Sequence, residues 1–342
     1  MAEQSILVLS GERGTEAILL LDGRPAEWIF PAERAVNDVF LGVCGRIHTG
    51  MSSVFVDIGA DHEALLPLSR TTQIPTPGSR LPVQIRRVPR EGDKGPVVDT
   101  QIRLPGRYAV AVPGGRGIRR SLLSSLLPEQ AERLYSNEEA ALLALWTRTL
   151  AKTNEGTAPR RLLSFGDPVS VALREWDDAA QIHVEGIERF DEVKTAAQDK
   201  AILRRLSLWV PDTKGRMRDA FGLEAARRDM ASDRTPLPCG GFLVIEQTRA
   251  LLAVDVNSGT AEAPDPLRLA EIVNTEAAQE TARQMRLRNL SGTILIDFMR
   301  TGPEGREQIL ELFVRAAASD RGKVRIEGFT GLGLLELARS GI

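Results

Sequence analysis

Short runs of alternating hydrophobic and polar residues fill the first ninety positions and predict β-structure. Strand-like segments lie at residues 5–9, 16–21, 39–47, 53–58, 63–66 and 81–88, with glycine or proline between them. Strands that are short and regularly spaced are typical of a small barrel. The pattern then changes to helical periodicity. It predicts a helix at 122–150, a linker at 153–160, alternating strand and helix at 161–183, and helices at 190–203 and 216–231.

The last third of the chain has the clearest pattern. It predicts a hairpin with strands at 241–246 and 250–256, an amphipathic helix at 266–289, a buried strand at 293–298, a helix at 305–319 and a strand at 324–327. Strands that alternate with helices favour an α/β sheet covered by helices.

Two of these predicted strands each carry one aspartate inside an apolar run. Asp255 lies in Leu-Leu-Ala-Val-Asp-Val-Asn, and Asp297 lies in Thr-Ile-Leu-Ile-Asp-Phe. A carboxylate buried in a strand is costly unless something compensates its charge. The helix between the two strands is long enough for a crossover that returns Asp297 beside Asp255. Two such carboxylates are suited to one Mg²⁺ that keeps most of its waters, and Asn257 would share the face of Asp255 and orient a carboxylate or contact the substrate.

Each aspartate taken alone also fits a common structural role, that of a strand-terminal residue capping a turn. The matching apolar contexts of the pair favour the metal site over two unrelated caps.

Composition and charge narrow the functional class only slightly. The 342 residues are 42% hydrophobic and 26% charged with a net charge of −2, as in ordinary soluble proteins. Residues 80–120 differ, because ten basic and three acidic side chains give this stretch a charge of +7. Isolated Cys44 and Cys239 indicate neither disulfides nor a zinc cluster. With no apparent signal peptide or membrane span, we expect a cytoplasmic protein.

Several residues are candidates for contact with nucleic acid. Phe55, in a strand of the predicted barrel, could stack on a base, although most phenylalanines in such strands are core residues. Arg283, Arg286 and Arg288 end the helix at 266–289. They suit phosphate contact and equally suit the negative end of the helix dipole. The basic stretch adds four further candidates for RNA binding: Arg86, Arg87, Arg119 and Arg120.

The order of these motifs resembles the bacterial ribonuclease E/G family. The similar segments are Phe-Val-Asp-Ile-Gly-Ala with Leu-Leu-Pro-Leu at 55–68, Ala-Val-Asp-Val-Asn-Ser-Gly at 253–259, Asn-Thr-Glu-Ala-Ala at 274–278, Ala-Arg-Gln-Met-Arg-Leu-Arg-Asn-Leu at 282–290, Ile-Asp-Phe at 296–298 and Gly-Leu-Leu-Glu at 333–336. They cover most of the chain.

The resemblance implies a multi-part α+β and α/β fold in which an S1 (OB-like) β-barrel is inserted in a ribonuclease-H-like part and a DNase-I-like α/β part follows. The expected divisions are ribonuclease-H-like segments at 1–35 and 175–228, an S1 RNA-binding barrel at 36–115, a reduced 5′-sensor-like region at 116–174, and a DNase-I-like catalytic part at 229–342.

The activity implied by the resemblance is Mg²⁺-dependent endonucleolytic cleavage of single-stranded RNA, leaving 5′-phosphate and 3′-hydroxyl ends, in RNA processing or decay. Asp255 and Asp297 would bind the metal, Asn257 would support them, and Phe55 would contact a base. Leu65 replaces a second aromatic residue of the family's barrel, and the sensor motif has no counterpart at 121–150. We expect no membrane association and no zinc-linked dimer, while the DNase-I-like part is a candidate surface for self-association.

Two other functions are consistent with the sequence. One is an RNA-binding protein of the same fold with weak or no cleavage, against which the aspartate pair argues. The other is a structural α/β protein without a nucleic-acid role, against which the basic stretch argues.

Overall fold

The computed structural model describes residues 3–71, 74–88, 95–120, 124, 126–154, 156–176, 179–197 and 200–341. The chain divides into two compact units. The split unit consists of Met1–Phe30 with Asp178–Ile342, and the barrel unit is Pro31–Asp177. Part of the predicted basic stretch, at 89–94, and the start of the helix predicted at 122–150 lie outside the described residues.

The strands are β1 (Gln4–Gly11), β2 (Gly14–Leu21), β3 (Arg24–Ile29), β4 (Val39–His48), β5 (Ser53–Asp57), β6 (Ala64–Pro67), β7 (Arg80–Arg87), β8 (Val97–Asp99), β9 (Leu104–Pro105), β10 (Ala109–Ala111), β11 (Ile118–Arg119), β12 (Arg160–Leu163), β13 (Gln181–Glu185), β14 (Leu206–Trp209), β15 (Arg234–Pro236), β16 (Phe242–Gln247), β17 (Leu252–Asn257), β18 (Gly292–Asp297), β19 (Val324–Phe329) and β20 (Leu335–Arg339). The helices are α1 (Pro128–Ala151), α2 (Pro168–Glu175), α3 (Ile187–Ala196), α4 (Lys200–Leu203), α5 (Pro211–Lys214), α6 (Met217–Ala220), α7 (Leu223–Ala231), α8 (Pro266–Leu287) and α9 (Pro303–Ala317).

A closed five-stranded β-barrel forms the centre of the barrel unit. Its strands follow the order β4-β5-β6-β8-β7, and pairing of β7 with β4 closes it, as in small OB-type barrels. Alternation along β5 explains its two faces, because Val54 and Val56 are fully buried inside whereas Phe55 is half-buried on the other face. The barrel predicted from the short strands is therefore present.

Two sheets build the split unit. The first has the order β14-β13-β1-β2-β3, so strands from both ends of the split unit's sequence pair, with β1 parallel to β13. The second, which we call the C-terminal sheet, has the order β15-β16-β17-β18-β20-β19. Only β17 and β18 are parallel to each other in it, and α8 connects them.

Helices α8 and α9 cover one face of the C-terminal sheet. Apolar side chains from both layers fill the space between them, among them Val254, Ile296, Val273, Met285 and Phe313. The opposite face, which we call the open face, carries the alternate residues of each strand, and these are half-buried or exposed. This one-sided cover is what positions the site described below.

Most predicted elements are confirmed with end shifts of a few residues, and the strands β3, β8, β9, β10, β11, β14, β15 and β20 were not predicted. The single helix predicted at 190–203 was wrong, because α3 ends at Ala196 and α4 begins at Lys200. The helix predicted at 216–231 is likewise two helices, since α6 ends at Ala220 and α7 begins at Leu223 after the left-handed Gly222. The predicted helix at 122–150 begins at Pro128, where proline suits the first turn.

Candidate metal centre on the open face

Asp255 and Asp297 are direct neighbours across the parallel strands β17 and β18. They are partners in the strand register, at the carboxyl ends of both strands. Helix α8 provides the connection between the strands, so the predicted crossover is confirmed. The fold therefore places two carboxylates on the same edge of the sheet and on the same face.

The expectation that these carboxylates are buried was wrong. Val254, Val256 and Ile296 are buried and point toward the helices, whereas Asp255 and Asp297 are exposed on the open face. The apolar runs suggested strands buried on both faces because each strand also carries apolar residues on its open face. The fold therefore imposes no desolvation cost on these carboxylates, and it is their adjacent placement in the strand register that suits a shared cation.

Asn257 lies two residues beyond Asp255 and orients its carboxylate. The Asn257 side-chain amide donates a hydrogen bond of 2.9 Å from Nδ2 to Oδ2 of Asp255. Of the two roles predicted for Asn257, the structure displays the orienting one. The chain then turns sharply at Gly259, where φ is +54° and a Cβ atom would lie 2.4 Å from the carbonyl oxygen of Gly240. Only glycine fits this turn, which ends the strand beside the carboxylates.

Asn274, on α8, is a site residue for which the sequence analysis assigned no role. It is 1% exposed, and its Nδ2 donates to the Met299 carbonyl at 2.9 Å while its Oδ1 accepts from the Met299 amide at 3.0 Å. Met299 lies two residues after Asp297, so this reciprocal pair fixes the chain leaving β18. A buried amide on the apolar face of a helix is the sequence signal that could have identified it.

A second polar contact from the same helix secures the loop before β16. Glu276 accepts a hydrogen bond of 2.8 Å from the backbone amide of Cys239. The amide of Thr260 in turn donates to the carbonyl of Gly240, which joins that loop to the turn after β17. Helix α8 thereby holds both backbone segments that border the carboxylates.

The donor set suits a hydrated divalent cation. Two carboxylates are the ligands with which Mg²⁺ is usually held when it keeps several waters. Among the described residues, no group of three or more His, Cys, Asp or Glu side chains could enclose a metal ion. The site is therefore an open one with two carboxylates, accessible to a ligand that binds the same ion.

Phe55 lies on the outside of the barrel in a setting that suits base contact. Its ring meets that of His48 edge-on, with centroids 6.3 Å apart, and Leu65 is its partner in the register of β5 and β6. The position where the family resemblance implied a second aromatic residue is thus directly beside Phe55. The barrel surface offers one phenylalanine ring at this place, flanked by an aliphatic side chain.

The arginines predicted to bind RNA differ in their availability. Arg86 pairs with Asp99 at 3.4 Å with its side chain 15% exposed, and Arg120 pairs with Glu175. Arg283 pairs with Glu280 and donates to the Pro25 carbonyl. Arg87 is exposed, and Arg119 is exposed beside Glu132.

Arg286 requires a correction. It is 7% exposed, and its Nη1 donates to the carbonyl of Ala316 at 2.8 Å. Burial lowers its pKa, and the nearby Asp320 and Glu27 partly offset this effect. The guanidinium therefore joins α8 to the end of α9 and has no surface for RNA, so its predicted binding role was wrong.

Comparison with known proteins decides the family. The family model described as "Ribonuclease E/G family" matches residues 128–341, which is more than half of the chain. This chain belongs to the ribonuclease E/G family. The resemblance inferred from the ordered motifs is thereby confirmed, and Asp255 and Asp297 of this ribonuclease E/G member both lie within the matched residues.

Relatives of this ribonuclease E/G member include ribonuclease E of Nostoc sp., 30% identical over 89% of this chain and 51% of the relative. Ribonuclease G of Escherichia coli is 28% identical over 89% of this chain and 72% of its own length. Ribonuclease E of Synechocystis sp. is 27% identical over 97% and 56%. The chain thus spans about half of the length of the ribonuclease E relatives. No helix within its described ranges has the length and apolar character needed to cross a bilayer.

Proposed function

We propose that this protein is an Mg²⁺-dependent endoribonuclease that cleaves single-stranded RNA at the open face of the C-terminal sheet. The register pairing of Asp255 with Asp297 carries this proposal, because it sets two exposed carboxylates side by side within a ribonuclease E/G sequence. Mg²⁺ held by them would lower the pKa of a bound water and neutralise charge on the scissile phosphate.

The residues around the carboxylates have separate tasks in this proposal. Asp255 and Asp297 hold the ion, Asn257 keeps the Asp255 carboxylate in one orientation, and Asn274 fixes the backbone that follows Asp297. Hydrolysis that breaks the bond between phosphorus and the 3′ oxygen leaves 5′-phosphate and 3′-hydroxyl ends.

The barrel unit would supply affinity for the RNA strand. We assign it the role of an S1 RNA-binding barrel, with Phe55 stacking on a base and exposed arginines contacting phosphates. The two sheets of the split unit correspond in this proposal to the ribonuclease-H-like and DNase-I-like parts. RNA processing or decay in the cytoplasm is the proposed setting, and self-association through the DNase-I-like part is part of the same proposal.

The decisive experiment measures Mg²⁺-dependent cleavage of a 5′-labelled single-stranded RNA by the intact chain and by Asp297→Asn. Loss of a direct metal ligand should reduce the cleavage rate by at least roughly 100-fold, since even outer-shell changes cost about 10- to 100-fold. Asp212→Asn, an exposed aspartate in the first turn of α5, is the matched control and should retain activity.

RNA binding by the intact chain without Mg²⁺-dependent cleavage would contradict the proposed activity and favour a binding role. Equal cleavage by the wild type and Asp297→Asn would contradict the metal site while leaving a nuclease elsewhere in the chain. Substrates with 5′-monophosphate and 5′-hydroxyl ends, compared in the same assay, test whether the 5′ end is sensed.

A further inference from the structure

One row of residues crosses the C-terminal sheet from its edge to the metal site. Arg234 on the edge strand β15 pairs with Val244, Val244 pairs with Asp255, and Asp255 pairs with Asp297. Residues directly opposite in a sheet share a face, so Arg234 emerges on the open face with both carboxylates. At about 4.8 Å between neighbouring strands, its Cα lies roughly 10 Å from that of Asp255.

The side chain of Arg234 is stacked on an aromatic ring at this edge. Its Cζ atom lies 3.6 Å from the ring centroid of Phe242, which is the register partner of Asn257. Thr235, the next residue, is buried and contacts Arg288 of the helix side, which confirms that Arg234 points to the other face. The stack therefore stands next to the residue that orients the metal-site carboxylate.

The hydrogen-bonding capacity of this guanidinium is available to a ligand. Arg234 is exposed, and among the described residues its side chain has neither an ion pair nor a hydrogen bond. Other arginines of the split unit are engaged internally, for example Arg283 with Glu280 and Arg339 with Asp320. A planar guanidinium held over a ring can offer its outer face and its N–H donors to a ligand.

We propose that Arg234 and Phe242 form a nucleotide subsite for a residue flanking the scissile phosphate. The base stacks on the outer face of the Arg234 guanidinium, and the N–H edge contacts an adjacent phosphate. The subsite rests on the proposed function, since it assigns the path of the RNA over the open face toward Asp255 and Asp297. The ligand class is a single-stranded nucleotide segment with an unpaired base.

Binding measurements test the subsite separately from cleavage. A fluorescein-labelled single-stranded RNA is titrated with the Asp297→Asn protein, in which cleavage should be lost. It is also titrated with three double variants, each of which adds Arg234→Ala, Phe242→Leu or Arg325→Ala to Asp297→Asn. Arg325 lies on the opposite edge strand β19 with its side chain 73% exposed, so its removal matches the charge change at a distant place. Arg234→Ala and Phe242→Leu should weaken the Kd about fivefold or more, and Arg325→Ala less than about twofold.

Position dependence distinguishes a subsite from a general attraction. Among RNAs that carry one abasic residue at successive positions around the mapped cleavage site, one position should lose at least about fivefold in affinity through Arg234, separately from the position whose base stacks on Phe55. Arg234→Ala should remove the loss of affinity at the position assigned to Arg234. Arg234→Lys should remove it as well but should keep the wild-type salt dependence of RNA binding, because lysine preserves the charge without the planar face.

Equal affinities for the Arg234→Ala and Arg325→Ala proteins, or an abasic profile unchanged in Arg234→Ala, would overturn the subsite. If the wild type does not cleave, the proposed nuclease function fails; the abasic scan, run over the whole oligonucleotide, still supports or overturns the subsite by binding alone. If the wild type does not bind single-stranded RNA, both proposals are wrong. Thermal unfolding of each variant establishes that the compared proteins are folded.

Discussion

At the scale of single residues, Asn274 links the helix layer to the strand end that carries Asp297, in the proposed metal site. Both of its hydrogen bonds go to the backbone of Met299, two residues after Asp297. Asn274→Asp keeps the acceptor for the Met299 amide but turns a carboxylate oxygen toward the Met299 carbonyl. We expect the Mg²⁺ affinity to fall about 10- to 100-fold, as for other residues that support metal ligands. Calorimetric titration with Mg²⁺ and the Mg²⁺ dependence of the cleavage rate both measure this change.

Gln284→Glu is the matched control for that variant. It makes the same amide-to-carboxylate change on the same helix, at a residue that is 0% exposed and bonds to Glu280 and Arg288. Gln284 lies ten residues after Asn274 on α8, about 15 Å along the helix axis. The Gln284→Glu substitution should therefore lower the free energy of unfolding and leave the Mg²⁺ affinity unchanged. An equal loss of Mg²⁺ affinity in both variants would show that loosening of the helix, rather than the contact to Met299, is responsible.

The same residues show what the sequence could predict of the site. Apolar context and crossover length were sufficient to bring Asp255 and Asp297 together, because strand order follows from local pattern and handedness. Exposure was not predictable, since Ala253 and Leu295 make the uncovered face look apolar too. The partner of Arg286 was equally hidden, because the Ala316 carbonyl belongs to a different helix.

At the scale of elements, strand β20 of the C-terminal sheet was not predicted because a buried arginine interrupts its apolar pattern. It lies between β18 and β19, and its inward positions are Leu335, Leu337 and Arg339. A buried arginine breaks the apolar alternation that identifies a strand in the sequence. Its charge is compensated by Asp320, with Nε to Oδ2 at 2.7 Å, a partner that only the folded chain reveals.

The end of helix α2 gives a prediction about pH. Burial favours a raised pKa for Glu175, but the hydrogen bond from Arg120 and the charges of Arg174 and Arg120 outweigh it and lower the pKa from 4.5 to about 2. A lowered carboxylate pKa means that the unfolded state binds protons first, so this stabilisation is present above pH 4.5 and is lost as the pH falls toward 2. Glu175→Gln should therefore lower the free energy of unfolding at pH 7 by no more than about 3 kcal/mol.

Denaturant unfolding across this pH range measures the effect, and the difference from the wild type should shrink below pH 4.5. Glu132→Gln, which removes the exposed partner of Arg119, is the control and should leave stability and its pH dependence nearly unchanged. A Glu175→Gln protein whose deficit persists at pH 3 would point to lost packing as the cause.

At the scale of the whole molecule, the two units differ in how much of them local sequence could predict. The barrel is built from consecutive segments, so short strands and turns predicted a barrel and four of its five strands, although not β8. In the split unit, Ile6 pairs with Ile182, and the whole sequence of the barrel unit lies between these two residues. No local sequence pattern specifies a contact between residues so far apart in the chain. The prediction that residues 1–35 and 175–228 belong to one part of the fold came from the family resemblance and not from periodicity.

Salt dependence of RNA binding is the property of the whole molecule that follows from these placements. Arg87 is exposed on the barrel, whereas its neighbour Arg86 is paired with Asp99, and burial, which outweighs that charge, lowers its pKa. An exposed guanidinium that contacts a phosphate releases counterions on binding, and one held by a carboxylate inside the protein does not. Removal of Arg87 and removal of Arg86 should thus have different consequences.

Arg87→Gln should flatten the slope of log K against log salt for single-stranded RNA by about 0.7, the contribution of one phosphate contact. Arg86→Gln should keep the wild-type slope and instead lower the free energy of unfolding, because Asp99 loses its partner. Fluorescence anisotropy between about 50 and 200 mM salt measures the slopes. Equal flattening by both variants would mean that the pair with Asp99 opens when RNA binds, and the distinction between exposed and paired arginines would then be wrong.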